Sequence, residues 1–471
     1  MEKLSPEFRQ ALDAACKNAI AHLESLDQTS VSATAELETL RGRLLKPLAR
    51  EGAPPQQIIE QLVDDVSGGL LGTAGGRFFG WVIGGVLPAA MAADWLTSAW
   101  QQNAAMYACS PAASVVEETV GSWLKDLLQL PPTASFALVS GCQMAHVTCL
   151  AAARHALLAK RGWDVEALGL FGAPPIRILS SSELHGSFER AVRLLGFGRE
   201  CVRTLPVDDD GRLLATALTS VLEKDTSAPT IVLLQAGDIN IGAYDSFPTL
   251  IPIAKRFNAW VHVDGAFGLW AAVSPRLQHL VTGIELADSW ATDGHKWLNV
   301  PFDSGFAFVA DPEAHRSSLS IRASYLTHAT EARDQVDWNP EWSRRGRCFA
   351  AYAALRQLGR DGLADLIERC CRHAHELVMR IGALPGAEVA WEPVINQGLV
   401  RFLDQRAGAT AADHDRRTDE VIARILETGE AFFGGTTWRG RRAMRVSVCN
   451  WRTDDAQVAR VVRAVKEVIS N

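Results

Sequence analysis

The sequence predicts an α/β fold built on a mostly parallel sheet, with a helical arm before it and a small α+β domain after it. Three observations lead there. From Phe136 onward, short and nearly continuous apolar runs alternate with helical stretches, the pattern of a sheet covered on both faces. Ahead of Phe136 the chain reads as helices around one glycine-rich apolar stretch. Beyond about Ser343, two long helical segments lead into a tail of alternating short strands and helices.

The elements follow in order. Ser5-Pro6 supplies a cap and a first-turn proline, and Phe8 to Leu26 continues as an amphipathic helix. Ala33 to Leu45 reads as a second helix, and Pro54-Pro55 open a third that runs to about Val66. After the glycine-rich stretch, helical sequence runs through Trp95 to Tyr107, and Ser110-Pro111 restart a helix. Strands are expected at Phe136–Ser140, Ile176–Ser180, Cys201–Leu205, Thr230–Gln235, Trp260–Asp264 and Phe306–Ala310. Helices are expected between them at Gln143–Lys160, Gly186–Leu195, Leu213–Lys224 and Thr249–Phe257. Arg322 to Glu341 is charged and irregular, a candidate active-site loop. Helices Ser343–Leu358 and Leu363–Ile381 follow, then strand Leu399–Leu403, helix Asp419–Thr428, strand Ala443–Val448 and helix Asp455–Ile469. The expected divisions are 1–88, 89–345 and 346–471.

At 471 residues the chain is too long for one ordinary core. Hydrophobic content of 48% and charged content of 21% describe a soluble globular protein. With a net charge of −7 and no basic block, a nucleic-acid partner has no electrostatic support. The nine cysteines form no C-x-x-C pair, so no metal site is expected, and their odd number suggests reduced thiols in a cytoplasmic protein. The N-terminus lacks the apolar core of a signal peptide. Val66 to Ala93 carries a single charge, Arg77, and is long enough to suggest a membrane span. Its many glycines and Pro88 favour a buried or interface segment instead, and with it a homodimer.

The chemistry gathers in Asp288 to Gly305, D-S-W-A-T-D-G-H-K-W-L-N-V-P-F-D-S-G. Lys296 stands there among mostly uncharged residues, where desolvation would lower its pKa toward the neutral amine. A neutral lysine amine forms a Schiff base with an aldehyde. Taken alone, Lys296 reads first as a surface lysine, since most lysines are exposed. Upstream, H-V-D-G-A ends a buried strand on Asp264, a carboxylate that requires a cationic partner or several donors. A protonated pyridine nitrogen is such a partner, and an aspartate on it keeps pyridoxal phosphate electron-withdrawing. Ala266 is small enough for a flat ring to lie against it. The alternative for Asp264 is a structural cap. Gly141, Cys142 and Gln143 sit where a strand turns into a helix, a position that attracts phosphate and that also simply favours small residues. His185 begins a helix, where it can stack on a ring or serve as a cap.

Together and in this order, the motifs resemble the group II pyridoxal-phosphate-dependent amino-acid decarboxylases, the family of aromatic-amino-acid and glutamate decarboxylases. H-V-D-G-A-F-G and A-D-S-W-A-T-D-G-H-K-W-L-N-V-P-F-D-S-G carry the resemblance most strongly, within roughly residues 65 to 465. The helix S-P-A-A-S-V-V-E-E-T-V-G-S-W-L-K-D-L-L-Q-L-P and E-L-H-G-S-F-E-R-A-V-R-L-L-G add to it. The resemblance implies the aminotransferase-like fold type I, with a mostly parallel seven-stranded sheet. It implies pyridoxal 5′-phosphate as cofactor, bound covalently by Lys296, with Asp264 on the ring nitrogen and His185 and Ala266 on the two ring faces. His295 and the turn Gly141–Gln143 would lie near the phosphate, and Ile239 falls where the family usually has threonine. Arg445, in M-R-V-S-V-C-N-W, aligns with an arginine that can bind the substrate carboxylate, and can equally be a solvated strand arginine. Phe78, Phe79 and Trp81 suggest an aromatic or bulky apolar amino acid as substrate, and Arg77 could supply a cation for an acidic one.

The implied reaction is decarboxylation of an L-amino acid to amine and CO2. Departures leave other outcomes open. The family turn T-S-G-G-T-E-A-N or T-S-S-A-S-E-A-T becomes V-S-G-C-Q-M-A-H. No tyrosine stands between Tyr325 and Tyr352, where the family's mobile loop often carries a proton donor. Trp338 falls near that place, and His328 is a candidate substitute acid. Loss of that tyrosine can divert such an enzyme to an aldehyde. An aldehyde synthase, aminotransferase or carbon–carbon lyase, and a non-catalytic protein on the same fold, are the competing readings.

Overall fold

The computed structural model describes residues 4–321 and 332–470. The large sheet contains β1 (Ser135–Val139), β2 (Arg177–Ser181), β3 (Val202–Leu205), β4 (Thr230–Gln235), β5 (Trp260–Asp264), β6 (Ser289–Asp293) and β7 (Gly305–Val309). Their order is β1-β7-β6-β5-β4-β2-β3. β7 runs antiparallel to both β1 and β6, and the remaining pairs are parallel. β1, β4, β5, β6 and β7 are buried at every residue, which is why all of them except β6 read as nearly continuous apolar runs rather than alternating ones.

Alternation still decides which face each side chain serves. Ile231 and Leu233 pack into one layer with Leu150, Leu157 and Phe188, from helices Cys142–Ala159 and Gly186–Leu194. Val232 and Leu234 pack into the opposite layer with Leu218, Leu250 and Leu124, from helices Ala215–Lys224, Phe247–Arg256 and Pro111–Leu127. Each such side chain contributes about 1.5–3 kcal/mol by leaving water. Trp260 belongs to the first layer, so His262 and Asp264, two and four residues on, face helix Cys142–Ala159 as well.

The second sheet is antiparallel: β8 (Ala387–Trp391), β9 (Gln397–Phe402), β10 (Gly434–Trp438) and β11 (Arg441–Ser447), in the order β10-β11-β9-β8. Helices Ala411–Thr428 and Asp455–Ser470 cover it.

Several boundaries differ from expectation. The second helix starts at Leu37 rather than Ala33, because the N–H groups of Thr34 and Ala35 bond the Gly68 carbonyl instead of coiling. The helix expected to reach Tyr107 spans Pro88–Trp100 and stops at left-handed Gln101. The run Cys348–Gly382 contains the two helices expected from Ser343, divided at Gly359, whose φ of 61° only glycine adopts cheaply. It starts late because the Arg344 N–H is bonded to Asn103 and its guanidinium to buried Glu117. Helix Ala411–Thr428 starts well before Asp419 on a Thr410/Asp413 capping box. β6, β8 and β10 were not anticipated as strands.

Candidate active site

The carboxyl ends of β4, β5 and β6 meet the start of helix Cys142–Ala159 around a cavity of about 260 Å³. It is lined by Gly141, Cys142, Gln143, Glu183, His185, Ser187, Gln235, Gly237, Ile239, Asp264, Ala266, Phe267, Asp293, His295 and Lys296. A cleft beyond strand ends is where open α/β sheets bind ligands. Every residue expected to touch the cofactor lines this one space, although they come from five separate stretches of chain.

Lys296 reaches it from the turn after β6. Its Nζ lies 3.1 Å from Asp293 Oδ2 and 5.7 Å from the Phe267 ring centroid. Burial alone would lower the lysine pKa, as the sequence reading expected. Burial is the largest single influence, but Asp293, Cys142 and Asp264 together outweigh it, Asp293 contributing most among them, and hold the pKa above its ordinary value. The apolar neighbours are real, but the decisive residue is the carboxylate three positions back.

Asp293 also accepts the Cys142 N–H at 2.6 Å, and its Oδ1 lies 3.5 Å from His295 Nε2. One buried carboxylate thereby ties the lysine turn to the helix start. His295 is fixed from behind, since its Nδ1 accepts the Ser304 N–H at 3.2 Å and its ring stacks on Phe302.

Asp264 is 4% exposed. Oδ1 accepts the Ala266 N–H at 3.1 Å and lies 3.8 Å from Cys142 Sγ, while Oδ2 lies 3.4 Å from His146 Nε2. Burial pushes this carboxyl up; His146, His185 and Lys296 overcome that and hold it well below the carboxylate range. The site therefore presents a fixed negative charge at its floor. Cys142, His146 and Asp264 bring ligating atoms within 4.8 Å of one another, the one such trio among the described residues.

The residues present fit pyridoxal phosphate. Asp264 suits a protonated ring nitrogen and Lys296 an aldehyde carbon. The helix start at Cys142 has no side-chain cap, since Gly141 occupies that position. Gln235 Nε2 is buried at the cavity wall without a hydrogen-bond partner, a donor awaiting an acceptor. His185 caps helix Gly186–Leu194 through Nδ1, bonded to Ser187, and lines the cavity together with Ala266.

The residues expected to meet substrate lie elsewhere. Arg445 is 8% exposed on β11, with no partner for Nε. Its nearest charge is Asp238, between cavity residues Gly237 and Ile239. Phe78 stacks on Phe432 and Phe79 on Phe433, both fully buried within this chain, and half-exposed Trp81 leans on Phe432. None of these four lines the cavity of this chain.

Arg77 cannot supply a cation to an acidic substrate. It is 1% exposed and donates to the carbonyls of Leu26, Asp27, Thr29, Gly429 and Glu430. Trp338 is held against His315 and Arg333. Tyr325 and His328 lie outside the described residues.

Four residues at the site escaped the sequence reading: Asp293, His146, Gln235 and Asn299. Asn299 is buried with a left-handed φ of 54°, a conformation asparagine tolerates. Its Oδ1 accepts the N–H groups of Gly85 and Trp451, and its Nδ2 donates to the carbonyls of Trp297 and Cys449. It joins the glycine-rich arm, the lysine turn and the small domain. The arm fits so closely that a Cβ on Gly84 would stand 1.9 Å from the Lys296 carbonyl oxygen. The signals were present: Cys142 and His146 are i and i+4 on a helix, and His262 and Asp264 are i and i+2 on a strand, so each pair shares a face.

The model of the pyridoxal-dependent decarboxylase conserved domain matches residues 43–403. An aromatic-L-amino-acid decarboxylase of Bacillus atrophaeus is 25% identical over 470 residues, covering 98% of this chain and 95% of that protein. A 4-hydroxyphenylacetaldehyde synthase of Rhodiola rosea is 26% identical over 375 residues, covering 77% and 74%. The crystal structure of Oryza sativa TDC with PLP and tryptamine superposes with a TM-score of 0.91 at 24% identity, covering 100% of this chain and 99% of that one, a likeness that shows the fold. With its domain match spanning most of the sequence and its fold shared in full, the chain belongs to the pyridoxal-dependent decarboxylase family.

Proposed function

We propose that the protein decarboxylates an L-amino acid with an aromatic or bulky apolar side chain, releasing an amine and CO2. The observation that carries this is the cavity itself, where Lys296 with Asp293 faces buried, ionised Asp264. Bound there, pyridoxal phosphate supplies an electron sink for the carbanion left when CO2 departs. The chain's residues do the rest. Lys296 Nζ would be the covalent attachment point for the cofactor's aldehyde. Asp264 holds its charge against the ring nitrogen, and His185 and Ala266 bracket the ring. Asp293 Oδ2 holds a proton against Nζ. The N–H groups of the helix start beyond Cys142, whose own N–H is held by Asp293, take the phosphate together with His295.

Arg445 is the residue proposed for the substrate carboxylate, supported by its unpaired Nε and its place beside the Asp238 segment. The proposed divisions are 1–88, 89–345 and 346–471. A homodimer is supported by exposed apolar side chains on the arm, including Ile58, Leu62 and Trp81. Phe78, Phe79 and Trp81 are proposed to shape substrate choice from that arm. A cytoplasmic location is supported by nine free cysteines. No helix of the described residues is long and apolar enough to cross a membrane.

A second reading, aldehyde synthesis, is favoured by the absence of tyrosine between Tyr325 and Tyr352 and by similarity to the Rhodiola rosea enzyme. One experiment separates them: incubate the loaded protein with aromatic and other L-amino acids and measure CO2, amine, aldehyde and peroxide together. Amine equal to CO2 supports decarboxylation; aldehyde and peroxide equal to CO2 support the second reading. No CO2 from any amino acid removes both.

A further inference from the structure

Behind Asp264 runs a line of buried polar side chains that the proposed reaction does not use. His146 Nε2 lies 3.4 Å from Asp264 Oδ2, and His146 Nδ1 lies 2.9 Å from His262 Nε2. His262 Nδ1 lies 2.9 Å from Ser289 Oγ, which accepts the Trp260 indole N–H at 2.9 Å. His146, His262 and Ser289 are fully buried. Three polar side chains sealed in an apolar layer are costly unless each is bonded to the next.

The hydrogen positions follow from the ends of the line. Tryptophan can only donate, so Ser289 Oγ accepts from Trp260 and its own hydrogen remains free for His262. An ionised Asp264 can only accept, so His146 Nε2 must carry hydrogen. Burial beside His146 pushes the His262 pKa down to about 3, so His262 is neutral. Neutral His262 accepts from Ser289 on Nδ1 and so donates from Nε2 to His146 Nδ1, which leaves His146 Nε2 to point its hydrogen at Asp264. Were the line reversed, two lone pairs would face each other across 3.4 Å.

We propose that His146, oriented by His262 and Ser289, is a positioning residue that fixes the charge and direction of the Asp264 carboxylate toward the cofactor ring. A carboxylate sharing one proton with a pyridine nitrogen leaves it on the ring only while its own basicity stays low. A donor on the far oxygen keeps it low. The other titratable groups facing Asp264 are Cys142, His185, Asp293 and Lys296, and Cys149 lies beside Ser289. All stay in place when the line is cut.

The inference rests on the cofactor assignment, and the test separates the two. His146→Phe, His146→Asn and Ser289→Ala are loaded with pyridoxal phosphate. The cofactor's dissociation constant is measured by equilibrium dialysis, and its visible absorption is followed against pH. His146→Phe is expected to raise the dissociation constant about tenfold and move the spectral midpoint up by about one pH unit. The rise comes because a ring nitrogen that loses positive charge lets the Lys296-linked nitrogen keep its proton longer. His146→Asn, whose amide can still donate, should return most of both. Ser289→Ala, three hydrogen bonds removed from Asp264, should move the midpoint the same way by less.

A merely structural role would lower the melting temperature and leave the midpoint alone. Folded His146→Phe and Ser289→Ala with unmoved midpoints overturn the relay; if His146→Phe does not fold, Ser289→Ala decides alone. A wild-type midpoint that shifts on dialysis against EDTA also overturns it, in favour of a metal ion on Cys142, His146 and Asp264. A wild-type protein with no visible band overturns the cofactor assignment instead.

Discussion

Asp293 Oδ2 stands 3.1 Å from Lys296 Nζ, while Oδ1 of the same carboxylate accepts the Cys142 N–H at 2.6 Å. The residue that anchors the lysine amine is thus also the residue that pins the helix start facing it. Because Asp293 raises the lysine pKa, the cofactor-free protein holds a charged amine, and attack on an aldehyde requires that proton to leave.

Asp293→Asn keeps the acceptor for Cys142 and removes the charge. In the cofactor-free wild type, the rate of covalent cofactor attachment should rise about tenfold per pH unit between pH 7 and 9. In Asp293→Asn the rate at pH 7 should be higher and the slope shallower, read by the growth of visible absorption. A lysine pKa raised by folding contributes stability that is fully present below the ordinary lysine pKa and lost as pH rises through the raised one. Urea melts of the cofactor-free proteins at pH 7 should therefore place Asp293→Asn below wild type. An identical pH slope in the two proteins would show that Asp293 does not hold the proton.

Lys296→Ala removes the attachment point and leaves Asp264 and the cavity floor in place. Borohydride followed by mass spectrometry should find no cofactor on the chain, and CO2 release should fall roughly a thousandfold or more. Cofactor trapped on another lysine would contradict the assignment.

Arg77→Met leaves five carbonyl acceptors around an apolar side chain. The expected loss is about 3 kcal/mol in urea denaturation, with KM for any accepted amino acid unchanged. A change in KM for acidic amino acids alone would return Arg77 to the substrate.

Gly84→Ala places a methyl group 1.9 Å from the Lys296 carbonyl oxygen, a backbone atom that cannot rotate away. Overpacking of this kind costs about 1–3 kcal/mol. Because the strain falls on the lysine turn, cofactor content after purification should drop along with the melting temperature. Full cofactor occupancy at a lowered melting temperature would mean the arm yields instead of the turn.

What could be read in the sequence follows physical range. Thr230–Gln235 and Trp260–Asp264 were read to the residue because a strand buried on both faces must be apolar throughout. Lys296 and Asp264 stood out because a lone charge in such surroundings demands a partner. The partner itself was harder. Asp293 was in plain view three residues before Lys296, yet its effect depends on a turn that folds the carboxylate back onto the amine. His146 was passed over because a histidine in an apolar helix carries no sign of what faces it, and His262 and Ser289 lie far away in the chain. The stacking of Phe78 on Phe432 and of Phe79 on Phe433 is a long-range fact that residue type alone does not carry. β8 and β10 escaped because half-exposed strands of a small sheet lack the apolar runs that mark the large one.

Asn299 bears on how the gene can be cut. Its amide is shared among Gly85, Trp297, Cys449 and Trp451, so the loop that carries Lys296 is closed by residues near both ends of the chain. A fragment ending after the large sheet would contain every residue of the cavity wall and still lack half of the clasp around its lysine. The two sheets are one inheritance unit: shuffling, fusing or truncating either without the other releases the attachment point from a distance.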